Sequence, residues 1–210
     1  MRPLPRLHAI TDRDVLALGD FATRATQLAT AGPGIALHAR DRTASAATLT
    51  AVTRQLLGLA GPLEASVFVN GRADVAAAVA AQGLQLGQGD LAPSDVRRAF
   101  GTTWVGWIGV SVHSLVEADA AIADGADYIM VGSVYETVTH PGRAPAGLAL
   151  VREVAARGKP VIAIGGITSE RAAAVREAGA YGIAAIRALW RAEDPGQAAM
   201  ALLAPWMEAA

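Results

Sequence analysis

Short apolar runs recur along the chain about every 20 to 30 residues, each followed by an alanine-rich segment with periodic surface charges. Runs of this length predict β-strands, and an apolar stripe between spaced charges predicts helices. The predicted strands are Leu7–Thr11, Gly34–His38, Ser66–Asn70, Gly83–Leu86, Trp107–Ser111, Asp127–Val131, Val161–Ile164 and Gly182–Ile186. The clearest helical segments are Asp74–Ala81, Leu115–Ala123 and Glu170–Ala178.

Eight strands alternating with helices predict an α/β protein in which a parallel sheet closes on itself. The 210 residues, of which 52% are hydrophobic, suffice for one such core. We therefore expect a single (β/α)8 TIM barrel, one domain spanning residues 1–210. Gly32, Gly125 and Gly179 stand where helices need a left-handed C-terminal residue.

Charge and composition exclude several classes of partner. The formal net charge is -1 and no basic run is present, so we expect no nucleic-acid partner. No apolar run is long enough to cross a bilayer and no secretory segment opens the sequence, which predicts a cytoplasmic protein without a membrane partner. The chain has no cysteine, which excludes thiolate chemistry. Small molecules remain the expected partners, and a homo-oligomer is compatible with the sequence.

Polar residues follow nearly every predicted strand, at the barrel end where enzymes of this fold carry their chemistry. They include His38, Arg40, Asn70, Asp90, Ser111 and His113. A long loop, residues 132–143, follows the sixth strand and holds Glu136, Thr137, Thr139 and His140. A loop of this length can close over a ligand.

The last two strands carry the signature of a phosphate site. Gly165 and Gly166 end the seventh strand, and Thr168 or Ser169 can cap the next helix, which leaves backbone N–H groups to face an anion. Ile186 and Arg187 follow the eighth strand. We expect a phosphate between these two turns, with Thr137 and Thr139 folding over it.

These motifs resemble one known family, that of thiamine phosphate synthase and its sister, the thiazole tautomerase. The resemblance runs from Leu7-His-Ala-Ile-Thr-Asp12 through Val69-Asn-Gly-Arg-Ala-Asp74, Gln85-Leu-Gly-Gln-Gly-Asp90, Gly109-Val-Ser-Val-His-Ser114 and Ala126-Asp-Tyr-Ile-Met-Val-Gly132 to Ala163-Ile-Gly-Gly-Ile167. It implies a (β/α)8 barrel and a thiazole phosphate ligand.

The synthase couples a pyrimidine pyrophosphate to a thiazole phosphate, and the resemblance implies Mg²⁺ and cations at its leaving group. Three family motifs differ here. Arg-x-Lys is replaced by His38-Ala-Arg40, Asn-Asp by Asn70-Gly71, and Thr-x-Thr-Lys by Thr137-Val-Thr-His140. Asp90 is kept and is the expected ligand if Mg²⁺ is used.

The tautomerase moves one proton on a thiazole carboxylate phosphate, and this needs an acid or base but no metal. Asn70-Gly-Arg72, Ser111-Val-His-Ser114 and Tyr135-Glu-Thr137 resemble this branch, although Ser133 replaces its histidine. We therefore expect an isomerase without a cofactor, with His38, His113, Glu136 or His140 carrying the proton. The alternatives are a magnesium-dependent synthase and a barrel that binds the ligand without turnover. Sugar-phosphate isomerase barrels fit less well, since they carry acids on strands one and five.

Overall fold

A computed structural model of the chain describes residues 2–137 and 144–207. Eight strands form within these ranges: β1 (Leu7–Ile10), β2 (Ile35–Ala39), β3 (Ser66–Asn70), β4 (Gly83–Leu86), β5 (Trp107–Val112), β6 (Tyr128–Gly132), β7 (Val161–Ile164) and β8 (Gly182–Ala185). The helices there are α1 (Arg13–Leu16), α2 (Phe21–Ala29), α3 (Ala46–Ala60), α4 (Ala73–Ala78), α5 (Pro93–Phe100), α6 (Leu115–Ala123), α7 (Gly147–Ala155), α8 (Ser169–Glu177), α9 (Arg187–Trp190) and α10 (Pro195–Met207).

The eight strands pair in chain order, all parallel, and β8 pairs with β1 to close the barrel. This confirms the predicted (β/α)8 TIM barrel. The predicted strand bounds are correct to within one or two residues. The differences are at strand ends, where β5 continues to Val112 and β6 begins at Tyr128.

Alternate residues of each strand enter two separate apolar layers. In β1, Leu7 and Ala9 join the core between strands and helices, whereas Ile10 joins a smaller cluster inside the barrel. His8 is fully buried on that inner side. The inner layer is therefore partly polar. Its side chains continue toward the carboxyl ends of the strands.

Aromatic side chains fill the inside of the barrel because glycines on adjacent strands leave room for them. A Cβ at Gly83 would lie 2.4 Å from the Phe68 ring, and one at Gly109 would lie 2.0 Å from the Tyr128 ring. Each glycine pairs in register with its aromatic partner on the neighbouring strand. Interior packing thus depends on small residues facing large ones.

The residues at the ends of the helices have most of the predicted conformations. Gly32, Gly125 and Gly179 all have positive φ, as expected for left-handed residues after helices. Thr168 occupies the N-cap of α8, but its side chain makes no capping hydrogen bond, so that detail of the prediction is wrong. Among the described helices, none has the length and apolar character to cross a bilayer.

The substitution Gly109→Ala is expected to lower the free energy of unfolding by about 1 to 3 kcal/mol, because Tyr128 has no space to retreat. Gly58→Ala in α3 is the control, since nothing lies within 4 Å of the added Cβ and alanine favours a helix by about 1 kcal/mol. Urea denaturation measures both. Equal stability changes in the two variants would contradict this packing account.

Candidate active site

A large cavity opens at the carboxyl ends of the strands. Its volume is about 1200 Å³, and its wall is formed by the end of β1 and by residues of the turns after β2 to β8. Side chains from the inner barrel layer form an apolar part of the lining: Ile10, Met130, Ile164 and Ala184. The cavity therefore combines an apolar surface suited to an uncharged ring with a polar rim.

The rim is cationic. Five arginines and three carboxylates line the cavity: Arg40, Arg42, Arg72, Arg171, Arg187, Asp41, Asp90 and Glu136. Arg72 is paired with Asp74, at 2.8 Å from Nε to Oδ1, and Asp41 lies 3.7 Å from Arg13. The excess of positive charge favours a phosphorylated or pyrophosphorylated ligand.

Arg40 and Arg187 are the cations best placed to bind such a ligand. Within residues 2–137 and 144–207, neither guanidinium makes a hydrogen bond or a salt bridge. Burial, reinforced by nearby Arg42, holds the pKa of Arg40 below its ordinary value. A half-buried cation without a partner gains most from an anionic ligand.

The Gly165-Gly166 turn fits the predicted phosphate site. Both glycines have positive φ, and a Cβ at Gly166 would lie 2.5 Å from the carbonyl oxygen of Glu136. The loop after β6 therefore packs directly on the turn. In the described residues, the N–H groups of Gly166 and Ile167 have no hydrogen-bond acceptor, and both residues line the cavity.

Arg171 supports this turn from α8, a role that the sequence did not reveal. Its Nη1 donates to the Gly166 carbonyl at 2.6 Å, and its guanidinium lies 4.5 Å from the centre of the Tyr135 ring. Both contacts tie the loop after β6 to the turn. The only sequence signal is the position of an arginine in the first turn of the helix that follows the two glycines.

A second polar group lies after β3 and β4. Asp90 is exposed in the cavity wall, and its Oδ2 accepts the N–H of Gly87 at 2.6 Å. Gly71 has φ +72°, and a Cβ there would lie 3.3 Å from both Asp90 carboxylate oxygens. A side chain at position 71 would therefore crowd the Asp90 carboxylate.

His38 differs most from its predicted placement. It is fully buried and does not line the cavity; its Nδ1 lies 2.8 Å from the Asn70 side chain and its Nε2 lies 2.8 Å from Nδ1 of His8. The expectation that His38 opens on the rim is therefore wrong, because the ring is buried and absent from the cavity lining. The strand pattern predicts that His38 faces the inside of the barrel but not how far it lies below the cavity. The side chain of Asn70, which bonds to His38, lines the cavity instead.

Another chain of hydrogen bonds crosses the barrel below Ser111. The hydroxyl of Tyr128 donates to Gln85 Oε1 at 2.7 Å, and Gln85 Nε2 donates to Ser111 Oγ at 3.0 Å. Burial raises the pKa of Tyr128 well above its ordinary value, so the phenol stays a donor. Because the phenol donates, Gln85 presents its oxygen to Tyr128 and its NH₂ group to Ser111. Ser111 is thereby held at the cavity wall.

His113 is the best-placed titratable ring at the cavity. Its Nδ1 donates to the Gly132 carbonyl, so in the neutral ring Nε2 is the unprotonated nitrogen. Glu136 and Thr137 also line the cavity. Thr139 and His140 lie outside the described residues.

Comparison with known proteins gives the family. The model described as thiamine monophosphate synthase matches residues 7–189. This chain belongs to that family. A thiamine-phosphate synthase of Thermus thermophilus is 41% identical over 179 residues, covering 84% of this chain and 85% of the relative.

Two further family members agree over most of their length. A thiamine-phosphate synthase of Saccharopolyspora erythraea is 42% identical over 194 residues, 88% of this chain and 85% of its own. The structure of a thiamine phosphate pyrophosphorylase from Pyrococcus furiosus superposes with a TM-score of 0.81 at 32% identity, covering 97% and 96% of the two chains. These names do not confirm the tautomerase branch, and they support an enzyme of thiamine synthesis.

Buried histidines in this family member predict a pH-dependent stability. Burial lowers the pKa of His38 to about 4 and that of His8 well below 6.5. As pH falls below 6.5, the unfolded chain takes up protons that the folded chain does not, so stability is lost between about pH 6.5 and 4. We expect a loss of about 1 kcal/mol per pH unit for each ring.

Urea denaturation between pH 7 and 5 measures this slope. The control is the double variant His8→Leu with His38→Leu, which keeps the exposed titratable groups and should show a flatter profile. The same slope in both proteins would contradict the assignment of neutral buried rings.

Proposed function

We propose that the protein is a thiamine-phosphate synthase, which joins a hydroxymethylpyrimidine pyrophosphate to a thiazole phosphate and releases pyrophosphate. One observation carries the proposal: the cavity holds two separate groups suited to anions. The first is the Gly165-Gly166 turn with Arg187, and the second is Arg40 with Asn70 and Asp90. They lie on opposite sides of β1 in the closed strand order.

Two anion sites suit two phosphorylated substrates. An isomerase that acts on a thiazole carboxylate phosphate has one phosphate and one carboxylate to bind, so it has no use for a diphosphate site. The coupling reaction places a phosphate at one site and a diphosphate at the other, and its two rings can lie against the apolar lining between them. The cavity of about 1200 Å³ exceeds the usual range of about 300 to 1000 Å³ for one drug-sized ligand.

The bond changes also fit the residues present. The C–O bond between the pyrimidine methylene and the diphosphate breaks, the thiazole nitrogen forms a C–N bond with that carbon, and the electron pair leaves with pyrophosphate. The ring nitrogen supplies its own lone pair, so the step needs no general base. Ser133, which stands where the tautomerase branch has a histidine, is consistent with this chemistry.

Arg40 is the residue that would take up charge on the leaving group. It lines the cavity and makes no side-chain hydrogen bond or salt bridge among the described residues, although Asp12 and Asp41 act on its charge. Its contact with the diphosphate would strengthen as negative charge develops. Asn70 lies between Arg40 and Asp90 in chain order, at the carboxyl end of β3. We assign this second anion group to the diphosphate end of the pyrimidine substrate, because Asp90 can share a metal ion with a diphosphate.

A magnesium ion fits this position as an ion shared with the substrate. The described residues include no group of three or more histidine, cysteine or acidic side chains able to hold a metal alone. Mg²⁺ is commonly held by one or two carboxylates together with substrate phosphates, and Asp90 offers one such carboxylate. When bound, the ion would neutralise charge on the diphosphate.

The tautomerase remains the second candidate because of one observation. In neutral His113, the unprotonated Nε2 belongs to a ring that lines the cavity, so a proton acceptor is present. This interpretation leaves Asp90 without a function, since the phosphate and carboxylate of that substrate need only cations and N–H groups. We therefore rank it below the synthase.

Purified protein with both substrates and Mg²⁺ is expected to form thiamine phosphate and to release one pyrophosphate for each product molecule. Chelation of the metal should abolish the reaction and added Mg²⁺ should restore it. Chromatography of the product and a phosphate-release assay measure both. Conversion of a thiazole tautomer without coupling would favour the isomerase, and tight binding without either reaction would favour a non-catalytic protein.

Arginine variants are expected to separate the two substrates. Arg40→Gln should raise KM for the pyrimidine pyrophosphate or lower kcat by about 10- to 100-fold, the cost of one charged hydrogen bond. Arg187→Gln should raise KM for the thiazole phosphate by a similar factor and leave the other KM unchanged. Arg54→Gln, on the exposed side of α3, is the control. Equal effects of both site variants on both substrates would contradict the assignment.

A further inference from the structure

Four groups form a continuous line from the bottom of the barrel to the cavity. His8 Nε2 lies 3.0 Å from the Pro5 carbonyl oxygen, and His8 Nδ1 lies 2.8 Å from His38 Nε2. His38 Nδ1 then lies 2.8 Å from the amide of Asn70, whose side chain lines the cavity. Every nitrogen of both imidazole rings is therefore engaged.

The number of protons decides how this line is arranged. A carbonyl oxygen only accepts, so His8 Nε2 must carry a hydrogen to bond to Pro5. A neutral His8 then accepts at Nδ1, which requires a hydrogen on His38 Nε2. A neutral His38 accepts at Nδ1 in turn. The group that faces it must donate, and in Asn70 only the NH₂ group can do so.

The opposite amide orientation requires one more proton. If the carbonyl oxygen of Asn70 faces His38, both ends of the line, Pro5 and Asn70, are acceptors. Three hydrogen bonds then need three hydrogens from the two rings. Two neutral rings supply two hydrogens, so one ring would have to be an imidazolium. The orientation of an asparagine amide is assigned from such networks, because oxygen and nitrogen have nearly the same shape.

The surroundings oppose the extra proton. Both rings are fully buried and contact Phe68, and His8 also contacts Tyr128, whose phenol is neutral. The charged group that acts on His38 is Arg40, a cation, and no carboxylate contributes. Burial lowers the pKa of both histidines, that of His38 to about 4. The neutral arrangement therefore prevails at pH 7.

We propose that His8 and His38 form a neutral relay that fixes the amide of Asn70, with its NH₂ group on His38 and its carbonyl oxygen facing the cavity. His8 and His38 are positioning residues, since Asn70 separates them from any ligand. Asn70 then offers the substrate a hydrogen-bond acceptor at a rim that is otherwise rich in donors. This deepens the proposed function, and only its kinetic test rests on that function.

Nitrogen NMR of protein labelled at the histidine rings tests the relay directly. At pH 7, His8 and His38 should each show one protonated nitrogen, Nε2, and one bare nitrogen, Nδ1. The ring signals that disappear in His8→Asn belong to His8, and those that disappear in His38→Gln belong to His38. An imidazolium at either ring, or a proton on His38 Nδ1, would overturn the proposal.

The substitution Asn70→Asp provides an independent test by removing the donor. A carboxylate has only acceptors, so the line then needs three hydrogens and one ring must take up a proton. The spectrum should show both nitrogens of one relay ring protonated at pH 7. If both rings stay neutral with unchanged tautomers while the carboxyl carbon signal shows an ionised carboxylate, the proton count that underlies the relay is wrong.

Two substitutions of His8 separate positioning from packing. In His8→Asn the side-chain oxygen still accepts from His38 Nε2, and the tautomer of His38 should be kept. In His8→Leu that acceptor is lost, so His38 should carry its hydrogen on Nδ1 and the Asn70 amide should turn. We expect kcat/KM for the pyrimidine substrate to fall about 10-fold or more in His8→Leu, with KM for the thiazole phosphate unchanged.

The outcomes are distinct. If His8→Leu keeps the His38 tautomer and normal kinetics, His8 positions nothing. If the protein has no synthase activity, the proposed function fails while the nitrogen spectra still decide the relay. If His8→Leu does not fold, the wild-type spectrum and Asn70→Asp decide it.

Discussion

Closure of the parallel sheet between β1 and β8 is the constraint on which the rest of the structure depends. The pairing of Leu7 with Ile183 joins the two ends of the domain. It brings the turns after β7 and β8 to one side of β1 and the groups after β2 and β3 to the other. Residues far apart in the chain thus face one cavity, and the distance between its two anion groups is set by the barrel rather than by any loop.

The same closure explains why the barrel interior is partly polar. Inside a closed barrel there is little room, and Gly83 and Gly109 leave space for Phe68 and Tyr128. Among the remaining interior positions, histidine and glutamine side chains bond to one another and to residues at the ends of the strands. The rings and amide inside these networks are buried, so the donor and acceptor at each step are determined by the groups at their ends.

Periodicity predicted the strands well because each apolar run is short and bounded by glycine or polar residues. It also placed Asn70, Asp90 and Gly166 at the strand ends where the cavity lies. The depth of His38 could not be predicted, because alternation along β2 gives the facing direction of a side chain and not which layer it occupies. The bond from Arg171 to Gly166 was missed for a related reason, since it depends on the path of a loop that has no repeating pattern.

The departures from the synthase motifs have structural reasons that do not require a different reaction. Gly71 has a positive φ beside Asp90, a conformation that most side chains adopt only with strain. Position 38 carries no charge at neutral pH, but Arg40 and Arg42 both follow β2 and line the cavity. The tautomerase interpretation counted these differences as losses of pyrophosphate chemistry, whereas the cavity wall keeps these two cations and the Asp90 carboxylate.

The proposed reaction requires that one cavity holds two anions at once. Calorimetric titration of thiazole phosphate into protein saturated with pyrophosphate and Mg²⁺ measures this most directly. We expect thiazole phosphate to bind with one molecule per protein chain, and with an affinity similar to or higher than the affinity measured without pyrophosphate. Competition between the two ligands for one site would contradict it.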